Sequence, residues 1–159
     1  MRNGNRTGYG LISFPQSSLY NQDTFYKTFS QDLRKARSLV VIESPFITKK
    51  RIDSLLPIIT RLTARGVHTI VNTKPLEEHT ALLYNQALRG IGLLKDAGVE
   101  VLMTVGHHRK IAIIDDEILY EGSLNILSQN DSCEMMRKIK SRDEVKRMLR
   151  FIGLKKWCK

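Results

Sequence analysis

The residues best suited to chemistry lie in HHRKIAIIDDEILYEGSLN, residues 107–125. Two of the chain's four histidines and a lysine stand before an apolar run, and a Gly-Ser-x-Asn follows it. Alternate residues of an extended strand share a face, so His108 and Lys110 point together, as do Ser123 and Asn125. With Asp116-Glu117 as a two-residue hairpin turn, Lys110 faces Ser123 and His108 faces Asn125, each pair about 4.5–5.5 Å apart. A three-residue turn would reverse that parity. Ammonium, hydroxyl and carboxamide donors on one patch suit an anionic oxygen cluster such as phosphate. An imidazole beside them can act as nucleophile or proton carrier near neutral pH. Gly122 leaves room for a ligand or a backbone to approach. His107, of the opposite parity, is expected to be structural or solvent-facing.

The same stretch excludes other chemistries. There is no HExxH and no cysteine beside the histidines, so a zinc site is not expected. No cluster of acids with metal-ligand spacing accompanies the motif. A GxxxxGK[ST] loop is missing, which argues against a P-loop nucleotide hydrolase.

The elements that must position these residues follow from periodicity. Residues 1–10, rich in Gly, Asn and Arg, are expected to be a flexible lead-in, and LISF, 11–14, a short strand. Phe25, Phe29 and Leu33 mark one face of a helix over 21–38. The β-branched run at 39–42 predicts a buried strand ended by Pro45. A helix over 51–66 stops at Gly66, with Pro57 a kink or a late start. Strands at 67–73 and 99–105 flank a long helix at 77–98, ended by Gly98. Residues 110–116 and 117–123 form a hairpin, and 142–154 a closing helix. The predicted fold is α/β: a mixed, mostly parallel β-sheet flanked by helices on both faces, with the motif on a C-terminal β-hairpin. ESPF, 43–46, ends a strand where α/β sites open, so it either lines the cleft or is loop structure. Lys49, Lys50 and Arg51 are either a solvated helix start or a phosphate-backbone contact.

The 159 residues suit a single domain, 1–159. Twenty-six Lys and Arg against sixteen acids give a net charge of +10, a surface that attracts polyanions. Two cysteines, Cys133 and Cys158, make no disulfide framework and fit a reducing, cytoplasmic setting. The N-terminus lacks the apolar region of a signal peptide, and no apolar run approaches a membrane span, so no membrane partner is expected.

The spacing His108-x-Lys110-x4-Asp115-x6-Gly122-Ser123-x-Asn125 resembles the signature of the phospholipase D superfamily. Six residue types at fixed offsets make a specific signal, and the order of helices and strands before the hairpin resembles that family's basic unit. The nearest resemblance is to its small single-motif nucleases, and to nuclease-like domains attached to helicases or restriction enzymes. That resemblance implies phosphodiester hydrolysis in two steps, with His108 as nucleophile. It implies that Lys110, Ser123 and Asn125 bind the non-bridging oxygens, and that Asp115 supports and orients the site. Glu134, nine residues past Asn125, is the candidate acid to orient the histidine. No metal or other cofactor is implied. The family site uses two motifs and this chain has one: neither His68 nor His79 has a lysine two residues on. The resemblance therefore implies a homodimer sharing one active site.

Three functions compete. A nuclease acting on DNA or RNA agrees with the charge. A phospholipase or phosphatidyl-transferring enzyme would want an apolar interfacial surface or an anchor. A non-catalytic dimeric nucleic-acid-binding module would not need His108.

Overall fold

The computed structural model describes residues 16–128 and 131–157. The expectations for residues 1–10 and for a strand at 11–14 lie outside the described residues. Seven strands form one sheet in the order β1-β7-β6-β5-β2-β3-β4. They are β1 Gln16–Asn21, β2 Leu39–Glu43, β3 His68–Thr73, β4 Glu100–Met103, β5 Ile111–Ile114, β6 Ile118–Gly122 and β7 Met135–Lys140. The helices are α1 Phe25–Lys35, α2 Lys49–Ala64, α3 Ala81–Asp96 and α4 Arg142–Phe151.

The apolar faces sort these elements into layers. Phe25, Phe29 and Leu33 of α1, Leu55 and Ile59 of α2 and Leu94 of α3 pack with Ile42, Ala112 and Tyr120 on one side of the sheet. On the other side Val145 and Leu149 of α4 pack on Val41, Ile70, Ile113 and Leu119. The sheet is thus mixed and covered on both faces, as its alternating sequence pattern requires. It is not mostly parallel, however. Only β2–β3 and β3–β4 are parallel, while β1–β7, β7–β6, β6–β5 and β5–β2 are antiparallel. The cause is local: no helix separates β5, β6 and β7, and strands joined without a crossover run antiparallel. The motif hairpin therefore sits in the middle of the sheet, with β7 and α4 following it in the chain.

Three further details differ from the sequence pattern. The helix expected over 77–98 is divided into a 3-10 turn, Leu76–Glu78, and α3. His79 between them is extended, its ring nitrogen 3.0 Å from the Pro75 carbonyl, and Glu78 is drawn aside to the backbone of Gly106. The strand β7 carries Lys138 on its inner side, paired with Asp32, and so conceals its alternation. Helix α2 continues through Pro57. At its start the exposed Lys49 pairs with Asp53, which favours the solvated helix start for it, and Arg51 lies 3.7 Å over the Tyr26 ring.

The hairpin turn has three residues, Asp115, Asp116 and Glu117, because Ile114 pairs with Ile118 and Ile111 with Glu121. Continuing that register sets Lys110 against Gly122, so the expected pairs Lys110–Ser123 and His108–Asn125 do not form. Asp115 opens the turn at φ 56°, a left-handed conformation that Asp tolerates better than most residues.

Candidate active site

The site lies where β2, β3 and β4 finish, β5 begins and β6 ends. Residues 104–110 leave the edge strand β4, pass the ends of β3 and β2, and enter β5 between β2 and β6. This loop is pinned along its length. The Thr104 amide donates to the Thr73 carbonyl at 2.9 Å, and the Gly106 amide donates to both Glu78 oxygens at 2.9 and 3.1 Å. Arg109 forks onto Glu43, which is 1% exposed, with one arm at 3.0 Å. Glu43 also accepts from Asn72 Nδ2 at 3.2 Å, and Thr104 Oγ1 donates to Asn72 Oδ1 at 3.0 Å. A buried carboxylate survives only with such partners. The residue between this anchor and the buried His107 is His108, which is exposed.

Lys110 folds toward the same point. Its ammonium lies 2.9 Å from His108 Nδ1 and donates to the His108 carbonyl at 2.7 Å. Burial holds the Lys110 ammonium below the ordinary lysine range; Lys74 pushes the same way and Glu134 opposes. His107 is likewise lowered, chiefly by burial, with Glu43 opposing and Arg109, Lys110 and His108 adding to the fall. It is a structural residue held largely neutral beneath the loop.

The remaining motif residues divide. Ser123 lines the same groove as His108 and Lys110. Its Oγ accepts from the Met135 amide at 3.1 Å and its amide donates to the Met135 carbonyl at 2.9 Å, which extends the β6–β7 pairing. The room left by Gly122 is taken by that strand: a Cβ there would lie 2.1 Å from the Met135 carbonyl oxygen. Asn125 lies in an irregular turn, so the face-sharing expected of a strand does not apply to it. Its backbone neighbourhood is fixed by Leu127 N to Ser44 Oγ at 3.0 Å and Thr48 N to the Leu127 carbonyl at 2.8 Å. Asn125 Oδ1 is buried without a hydrogen-bond partner. Such an acceptor costs about 1–3 kcal/mol until a donor, such as water, reaches it; donation to an anion would fall to the amide nitrogen. Glu134 accepts from Ser132 Oγ at 2.8 Å, and its charge is felt at Lys110.

Asp115 is not part of this group. It stands at the other end of β5, five residues from Lys110 and roughly 16 Å away at about 3.3 Å per residue. There its carboxylate accepts from the amides of Arg37, Ser38 and Leu39 at 2.8–3.1 Å and from Ser38 Oγ at 3.0 Å. Burial raises its pKa, but those four donors outweigh it and the net shift is downward. Asp115 fixes the α1–β2 connection to the hairpin and does not reach the reacting groups.

His108, Lys110 and Ser123 form one wall of an open groove of about 610 Å³ whose other wall includes Met135, Arg137, Met148 and Phe151. Phe151 is 78% exposed and Met135 46%. Among the described residues no group of three or more His, Cys, Asp or Glu could hold a metal ion, and no helix is long and apolar enough to cross a membrane.

A family model described as cardiolipin synthase, PLD-like domain, matches residues 29–153. This chain belongs to the phospholipase D-like family. Solved structures share the fold of this phospholipase D-like chain. NucT from Helicobacter pylori is 20% identical with a TM-score of 0.72, over 91% of this chain and 96% of that one. Nuc from Salmonella typhimurium, a phospholipase D family member, is 12% identical with a TM-score of 0.70, over 87% and 91%. Phosphatidylserine synthase from Haemophilus influenzae is 13% identical with a TM-score of 0.64, over 92% of this chain but 39% of that one. No curated protein matches the chain in sequence.

Sequence reasoning missed the loop anchor. Arg109 and Asn72 look like ordinary polar residues, and only Glu43, a carboxylate closing the run LVVIE, carried a signal. Lys74 was missed as well; it follows β3 directly, at the same end of the sheet.

Proposed function

We propose that this chain is a phosphodiesterase, a metal-independent endonuclease cleaving DNA or RNA through a phosphohistidine in an active site shared by a homodimer. The observation that carries the reading is an exposed imidazole on a pinned loop with the Lys110 ammonium 2.9 Å from its Nδ1. A nucleophile needs exposure and a fixed aim, and the anionic transition state needs a cation beside it.

In the first step a His108 ring nitrogen bonds to phosphorus. The P–O bond to the leaving nucleoside oxygen breaks, and His108 of the partner subunit supplies that oxygen with a proton. In the second step the partner's His108 takes a proton from water, the hydroxide oxygen bonds to phosphorus, and the P–N bond breaks. Lys110, the Ser123 hydroxyl and the Asn125 carboxamide donate to the non-bridging oxygens, and Glu134 keeps Lys110 charged. One motif per chain supports the shared site, since one imidazole cannot attack and protonate in the same step. The exposed Met135 and Phe151 beside His108 suit a contact between two copies.

Those same apolar side chains favour a second reading, transfer or hydrolysis of a phosphatidyl group, because a lipid substrate also needs apolar surface beside the nucleophile. Plasmid nicking in excess EDTA, run beside headgroup release from phosphatidylcholine vesicles, separates the two. Nicking that persists in EDTA supports the nuclease. Headgroup release without nicking supports the lipid enzyme, and neither activity supports a binding module.

A further inference from the structure

The net charge of this chain is not gathered around His108. At the catalytic end Lys74, Arg109 and Lys110 are each answered by a carboxylate, from Glu78, Glu43 and Glu134 respectively. At the opposite end of the sheet the balance differs. Lys35, Arg37, Lys140 and Arg142 line one recess. Arg34, Arg61 and Arg65 line a hollow joined to it, since Arg65 donates to the carbonyls of Arg34 and Ala36 at 3.2 and 3.3 Å.

The acids at this end are mostly engaged. Asp32 pairs with Lys138 and accepts from Tyr120, Asp115 holds three amides, Asp116 pairs with Arg142 at 3.3 Å, Glu100 lies 2.9 Å from His68 and Glu144 3.0 Å from Arg147, while Asp96 and Asp143 stand at the ends of α3 and α4 beyond the recess. Glu117 is the remaining acid lining the recess, beside Lys35, Arg37 and Lys140; with Arg34, Arg61 and Arg65 of the hollow these make six exposed cations. Helix dipoles account for Arg34, Lys35 and Arg61, each in the last turn of its helix. The open carbonyls at the end of α1 account for Arg65, which donates to them; neither reason accounts for Arg37 or Lys140. Lys35, Arg37 and Lys140 share one recess, where like charges repel, a cost that a polyanion would remove.

We infer that this end of the sheet, remote from His108, is a second contact surface for the phosphate backbone of a nucleic acid. Four of the six cations are arginines, whose planar fork matches phosphate oxygens. Among the described residues the exposed large apolar side chains, such as Leu82, Val105 and Phe151, lie elsewhere, whereas a protein partner would want an apolar centre to its interface. The surface needs no cleavage chemistry and stands apart from the nuclease reading.

The test is binding of a labelled duplex of about 30 base pairs to the His108→Ala chain across a salt series. The comparison is the same chain carrying Lys35→Gln, Arg37→Gln, Arg61→Gln and Lys140→Gln. A charge-matched control carries Lys27→Gln, Arg89→Gln, Arg150→Gln and Lys155→Gln, all exposed and away from this end of the sheet. The patch variant is expected to bind about tenfold or more weakly, with its log–log salt slope lower by about 3 to 4, near 0.9 per lost phosphate contact. Should the fourfold variant melt early, the pairs Lys35→Gln/Arg37→Gln and Arg61→Gln/Lys140→Gln are each expected to lower the slope by about 1 to 2. A fall no larger than the control's, or an unchanged slope, overturns the proposal and leaves the patch to an acidic protein. Cleavage by the unaltered chain is scored separately, so loss of the nuclease reading would not be mistaken for loss of this one.

Discussion

Lys110 Nζ lies 2.9 Å from His108 Nδ1 and 2.7 Å from the His108 carbonyl oxygen. An ammonium can only donate, so the imidazole nitrogen it faces is an acceptor, and an arriving phosphate competes with the ring for the same cation. The charge on Lys110 is therefore the quantity to vary. Burial has already lowered its pKa from 10.5, so cleavage should fall on the alkaline side earlier than an ordinary lysine would dictate. Glu134 holds that pKa up and Lys74 pushes it down. In kcat/KM against pH, Glu134→Gln should move the alkaline limb to lower pH and Lys74→Gln to higher pH. Shifts in the same direction would contradict this electrostatic assignment.

Gly122 is kept by a strand rather than a substrate. Gly122→Ala drives a methyl toward the Met135 carbonyl, which belongs to the paired backbone and cannot swing aside. The expected loss is about 1–3 kcal/mol or more in urea unfolding. A change below about half a kcal/mol would mean that β7 can retreat.

Asp115 should report on stability and not on chemistry. Asp115→Asn keeps the left-handed turn but replaces one acceptor with a donor facing the 37–39 amides, at an expected cost of about 1–3 kcal/mol. Asp115→Ala adds the backbone cost of about 1–2 kcal/mol. Because the folded pKa is depressed, the carboxylate's stabilisation is present above 3.8 and is lost as pH falls through the lower folded value. The gap between the parent chain and Asp115→Asn should therefore close on acidification. Turnover per folded molecule should hold, and a hundredfold loss would return Asp115 to the active site.

The Glu43–Arg109 pair invites a double-mutant cycle. Glu43→Gln leaves the half-exposed Arg109 facing a neutral amide, and should cost about 1–3 kcal/mol. Glu43→Gln with Arg109→Gln removes both charges and should cost less than the sum of the single changes. Additive losses in denaturant unfolding would mean that the two side chains do not act as a unit.

The sequence carried the fold through its apolar periods: Phe25, Phe29 and Leu33, and the β-branched runs of β2 and β3, form the layers they imply. It failed where a polar residue took an inside position. Lys138 hid β7, and His79 with Glu78 broke a helix that looked continuous. The site was legible in residue types and spacing, since His108, Lys110 and Ser123 share one groove. The route to it was not. The turn holds three residues, Asp115 lies at the far end of its strand, and Asn125 leaves the strand altogether. Turn length depends on one left-handed Asp, and the Glu43–Arg109 anchor joins residues 66 apart, so neither is set by local pattern.

Mixing subunits tests the shared-site account most directly. His108→Ala chain is added in threefold excess to the unaltered chain under conditions where subunits exchange, and exchange is verified with a labelled chain. If two copies of His108 complete one site, cleavage per unaltered chain should fall to about a quarter, the fraction still paired with an intact partner. Cleavage per unaltered chain that stays constant after verified exchange would show that each chain works alone, and would contradict the two-histidine mechanism.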